Sequence, residues 1–227
     1  MSTLMGFFNI FSKRAPRMEV LSPVQYTVTI QYPSVLEFPM AVSRMKVEDD
    51  ARTFFQFDRG EVTINGDAAS DYLAADLAAQ CGQVLYPLQV CVGADGSITQ
   101  VFNHAAILER WEAQAPRLLE YFTGDEACAY IHATGKVILE EAAVLRIIRQ
   151  DLFLSCWCNL AMGGSRSAYP LIPFKEPVPC EHDIKCSVNK LTKMIDSIHA
   201  EWNFEQDGRL RRIQLTAVCN PIKDTVV

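Results

Sequence analysis

The sequence predicts an α+β protein: an antiparallel β-sheet, made of a meander and two Asp-Gly hairpins, packed on several α-helices. Residues 24–32, VQYTVTIQY, alternate strictly between apolar and polar side chains, the period of a half-buried strand. Asp95-Gly96 and Asp207-Gly208 each separate two β-rich runs, which is a strong hairpin signal. No regular βαβ alternation occurs, so hairpins rather than crossovers are expected to join the strands.

In the first strand Val24, Tyr26, Val28, Ile30 and Tyr32 share the apolar face, and Pro33 ends it. Strands over 40–47 and 52–64 complete the meander, the second interrupted around Asp58-Arg59-Gly60. Residues 67–81 are alanine-rich, with Tyr72, Leu73, Leu77 and Cys81 at helical spacing; Gly82 is the expected stop. Beyond the first Asp-Gly hairpin, Asn103 is the expected cap of a helix carrying Ile107, Leu108 and Trp111. Pro116, which lacks an amide donor, is expected to restart that helix, and Gly124 to end it.

Residues 136–162 read as one buried helix. Ile138, Leu145, Ile148, Leu152 and Cys156 form a stripe, and LFLSCWCNLAM is apolar nearly all round before Gly163-Gly164 breaks it. Pro170, Pro173, Pro177 and Pro179 mark an extended stretch. Residues 184–195 fit a strand or a helix equally. In the second hairpin Ile198, Ala200, Trp202 and Phe204 face inward, and Ile213, Leu215 and Ala217 return on the same face. No flexible linker divides the chain, so the expected organisation is an apolar and basic segment over 1–17, then one domain over 18–227.

The 227 residues carry 21 Lys+Arg against 27 Asp+Glu, a net charge of −6, with 49% hydrophobic residues. That composition excludes a disordered or collagen-like chain, and no apolar run of about 18 residues predicts a membrane-spanning helix. The positive charges of MSTLMGFFNIFSKR follow its apolar stretch, the reverse of a secretory signal. The eight cysteines are therefore expected as reduced thiols of a cytoplasmic, bacterial-type protein. Charge is uneven: residues 61–145 hold 3 basic and 12 acidic side chains, a balance of −9. Such a region steers a basic partner inward and disfavours nucleic acid. Arg209, Arg211 and Arg212 form a small basic cluster without a phosphate-cradling motif.

Signatures of nucleotide-loop enzymes, nucleophile elbows and zinc proteases are all missing. The best metal candidates are Cys156-Trp-Cys158 and Cys180-Glu-His182-Asp-Ile-Lys-Cys186. On a helix the first pair diverges. The second, flanked by Pro177 and Pro179, needs a loop to wrap an ion, and neither has zinc-knuckle spacing. No metal and no cofactor are expected. His104, His132, His182 and His199 read as surface or capping residues, and Met162-Gly-Gly-Ser-Arg-Ser167 as a helix stop rather than an anion loop.

The most distinctive local feature is Leu4, Phe7, Phe8 and Phe11, at i, i+3, i+4 and i+7, followed by Lys13, Arg14 and Arg17. Such a stripe docks into a groove on a partner protein, lies on an anionic membrane surface or packs back onto the chain's own core. These residues are the expected partner-binding site. The expected function is a non-enzymatic cytoplasmic protein-binding module of inhibitor, immunity, chaperone or adaptor type. The alternative is a domain binding a small hydrophobic ligand in a pocket lined by Phe55, Trp157 and Trp202. A thiol- or Cys/His-metal-dependent enzyme comes third.

Overall fold

A computed structural model describes residues 18–48, 50–163, 180–189 and 194–220. The alternating sequence at 24–32 forms strand β2 (Val24–Tyr32), preceded by the short β1 (Met18–Val20). Pro33 ends β2 as expected, with Tyr32 opposite Ser34 across a tight turn. The next strand, β3 (Ser34–Val47), starts six residues earlier than the sequence suggests. Pro39 does not interrupt it, and its carbonyl accepts a hydrogen bond from the Gly60 amide at 2.9 Å. Strand β4 (Asp50–Arg59) stops at the expected Asp58-Arg59-Gly60 break; β5 (Thr63–Ile64) then pairs back onto β3 and with β6 (Asp67–Ala68).

The alanine-rich run is shorter as a helix than its composition suggests. A 3-10 turn over Ala69–Asp71 precedes α1 (Leu73–Gln83), which passes through Gly82 instead of stopping there. Gly82 serves another purpose: a Cβ at this position would lie 3.2 Å from the Arg59 guanidinium. The first Asp-Gly turn joins β7 (Leu88–Val92) to β8 (Ile98–Val101). Gly96 there has φ +82°, and the Ser97 hydroxyl donates to the Asp95 carboxylate at 2.7 Å.

Helix α2 (His104–Tyr121) runs straight through Pro116, against expectation. Pro116 and Glu112, whose carbonyl loses its partner, are both exposed, so solvent hydrates the freed group. Asn103 precedes α2 without capping it; its side chain instead accepts from the Gln89 amide and donates to the Pro87 carbonyl. The single helix expected over 136–162 is three segments: the end of α3 (Asp125–Leu139), then α4 (Glu141–Gln150) and α5 (Leu152–Ala161). Glu140 and Asp151 take extended backbone at the two breaks. Asp151 starts the last segment by accepting a hydrogen bond from the Leu154 amide at 2.8 Å. The ambiguous 184–195 stretch contributes to strands β9 (Cys180–Val188) and β10 (Ile195–Gln206). The second Asp-Gly turn then leads to β11 (Arg209–Asn220), with Asp207 and Gly208 both at positive φ.

The described strands form one antiparallel sheet with the path β8-β7-β4-β3-β2-β11-β10-β9; β1 and β5 flank β3. The fold is thus the α+β architecture read from the sequence. One face of the sheet is covered by α5, where Phe153 meets Tyr26 at 6.0 Å and Trp157 meets Phe55 at 4.9 Å between ring centroids. Side chains of all five helices continue this core. Among the described residues, the opposite face carries a small apolar cluster of Met45, Val47, Phe54 and Cys91. None of the helices among the described residues is long and apolar enough to cross a membrane.

Candidate functional site

The expected partner-binding residues Leu4, Phe7, Phe8 and Phe11 lie outside the described residues, as do the proline-rich stretch up to 179 and residues 164–167. Cys180, His182 and Cys186 are described, and their geometry corrects the loop expectation. They lie along β9, opposite Phe204, Trp202 and Ile198 of β10. A strand rises ~3.3 Å per residue, so Cys180 and Cys186 are roughly 20 Å apart and cannot share an ion. Cys156 and Cys158 are both buried in α5, where i and i+2 side chains diverge as expected.

Five of the thiols also lack activation. Burial pushes Cys81 up to about 11 and Cys156 up to about 12. Desolvation raises Cys158, Cys180 and Cys219 as well. Each of these five is therefore held as the neutral thiol near pH 7, a weak nucleophile and a weak metal ligand. His104 is tied to the Ile138 carbonyl through Nε2 at 2.8 Å, while His132 and His199 are exposed. Phe55 and Trp157 pack edge to face beside a recess of about 220 Å³; the buried Trp202 does not line it. Phe55 and Trp157 line this recess, and Trp202 lies in the same core.

A different place gathers more apolar surface. Helix α3 lies between α2 and α1, and Gly135 lets α2 approach so closely that a Cβ there would lie 3.0 Å from the Trp111 indole nitrogen. On its other side α3 leaves two adjoining hollows against α1. The first, of about 530 Å³, is lined by Leu73, Leu77, Phe122, Ala127 and Tyr130. The second, of about 310 Å³, continues past Tyr130 along Ala78, Val137 and Ile147 of α4. The two hollows share Tyr130 as a wall and make up the α1–α3 groove.

Two properties of the sequence create this groove. Ala74, Ala78, Ala127 and Ala133 are too small to fill the space between helices. Large apolar side chains then stand exposed around the gap: Leu73 at 69% of its surface, Ile147 at 47% and Tyr130 at 46%. The first hollow is edged by acidic residues, while Gly82, beside the Arg59 guanidinium, lines the second. Asp125 and Glu126 open α3 and line the groove, and Asp67 holds the Tyr72 hydroxyl at 2.9 Å just before α1. Residues 61–109, which include all of α1, contain no Lys or Arg. Burial raises the Tyr130 hydroxyl above its ordinary value, so it stays a neutral hydrogen-bonding group.

The sequence offered a partial signal for this groove. Tyr72 and Leu73 fit the helical stripe of α1, but the helix starts at Leu73 and turns both away from the core, while Leu77 and Cys81 are buried. Tyr130 and Ile147 had no sequence signal separating them from core residues. Comparison with known proteins adds no relative: no protein family, no curated protein and no solved structure matches this chain.

Proposed function

We propose that this protein is a non-enzymatic, cytoplasmic protein-binding module that takes an apolar, positively charged helix of a partner into the α1–α3 groove. The observation that carries this is the pair of apolar hollows that share Tyr130, the first lined by Asp125 and Glu126, with no basic residue in α1. An amphipathic helix lays its i, i+3, i+4 and i+7 side chains into such a groove. Charges at the rim then set orientation and encounter rate more than affinity. The eight free cysteines suit a reducing compartment, and the raised thiols suit a binding role better than thiol catalysis.

The test titrates the full-length chain with a synthetic 17-residue leucine-lysine amphipathic peptide and follows binding by fluorescence anisotropy. Binding in the micromolar range that weakens with added salt is expected. Replacing Leu73 and Tyr130 together by Asp should weaken it at least tenfold, and circular dichroism should show the fold unchanged. No binding, or equal binding by the doubly substituted chain, defeats the proposal.

A further inference from the structure

We infer that the groove's resident occupant is the chain's own residues 4–14, which an incoming partner helix must displace. This deepens the proposed function and rests on the groove being a helix site. The complementarity is twofold. Leu4, Phe7, Phe8 and Phe11 present four large apolar side chains at helical spacing, and Lys13, Arg14 and Arg17 follow them. The groove offers an apolar floor at Leu77, Phe122 and Tyr130 with carboxylates at Asp125 and Glu126. The stripe of the segment, about 11 Å long as a helix, fits along α1, which is about 16 Å long.

The segment is also tethered to the sheet on which the helices pack. Met18 pairs with Val47 of β3, and Arg59, whose guanidinium abuts Gly82 of α1, pairs with Met40 of the same strand. Seven residues of strand separate Met40 from Val47, about 23 Å. The chain from Phe11 to Met18 spans up to about 25 Å when extended. A segment so tethered faces its site at an effective concentration of order millimolar, enough to hold an otherwise weak helix in place. Docking would also supply the contacts that a helix of two to three turns lacks alone.

The experiment uses two full-length chains, the wild type and a Phe7→Ser/Phe8→Ser/Phe11→Ser variant, with a fluorescein-labelled synthetic peptide of residues 1–17 as probe. The labelled peptide should bind the triple variant and bind the wild type at least tenfold more weakly, because the resident segment competes. Adding Leu73→Asp and Tyr130→Asp to the triple variant should abolish binding. Equal affinity for wild type and triple variant overturns the inference, as does a wild-type chain that exchanges the segment between copies and runs as a dimer by mass. If the triple variant ignores this peptide but takes the leucine-lysine helix, the inference fails while the groove's role stands. If neither peptide binds, both fail.

Discussion

Helices α1 and α5 have eleven and ten residues and are both apolar, yet they end in opposite environments. All of Leu152–Asn159 in α5 is buried, whereas α1 buries only Asp76, Leu77 and Cys81. The difference lies in what each helix faces. Phe153 and Trp157 of α5 meet aromatic side chains projecting from β2 and β4, so the sheet closes over one side and the other helices over the rest. Helix α1 sits in the outer layer against α3, and its alanines leave the contact thin. A short apolar helix is therefore a core element or an open binding surface according to the bulk of its neighbours, and its own hydropathy does not decide which.

Truncating the two helices should separate these roles most sharply. Phe153→Ala removes a fully buried ring that touches Tyr26 and Phe57, and about 3–5 kcal/mol of stability should be lost. Leu73→Ala, at a side chain 69% exposed, should change stability by less than about 0.5 kcal/mol. Urea denaturation of the two variants measures both. Comparable losses would show that α1 is packed as tightly as α5 and that the groove is not open.

The hairpin between β7 and β8 gives the next largest effect, because it is clamped to the closed side. Gly96 sits at φ +82°, and a Cβ there would lie 2.4 Å from the Asn159 Cα of α5. The contact is with backbone, which cannot swing aside as a side chain does. Gly96→Ala should therefore cost about 1–3 kcal/mol, combining backbone strain with displacement of the hairpin from α5. A melting temperature equal to the wild type's would mean that the hairpin is not held against α5.

Much of the closed side was legible in the sequence, and much of the open side was not. The alternation at 24–32 and both Asp-Gly turns depend on local chemistry, period-two patterning and positive φ, so they survive without tertiary information. Helix breaks were harder. Glu140 and Asp151 interrupt what reads as one apolar helix because the chain must turn to place α4 beside β8 and α5 under the sheet, a tertiary demand. Gly82 looked like a stop but is a clearance for Arg59, a contact between residues far apart in sequence. The groove is the extreme case. Its lining comes from α1, α3, α4 and the turn before α3, and no window of sequence contains it.

The smallest effect concerns how α5 is started, and it turns on a sign. Tyr72 leads into α1 without a side-chain cap, but Asp151 caps α5 by accepting from the Leu154 amide at 2.8 Å. Burial raises the Asp151 carboxyl above its ordinary range, outweighing the Leu154 hydrogen bond and the attraction of Arg59. A carboxyl raised by folding binds its proton more tightly in the folded chain. Its stabilising contribution is therefore full below the unfolded pKa and is lost as pH rises through the folded one. At neutral pH, Asp151→Asn should be as stable as the wild type or more so, since the amide oxygen keeps the cap and no charge is buried. Asp151→Ala removes the cap and should cost about 1 kcal/mol. Below the ordinary aspartate range the wild type should recover its disadvantage against Asp151→Asn, so the gap between the two must narrow as pH falls. Thermal melts of the three proteins between pH 3 and pH 8 test this, and a gap that widens on acidification would mean that the cap acts as a charge rather than as a hydrogen-bond acceptor.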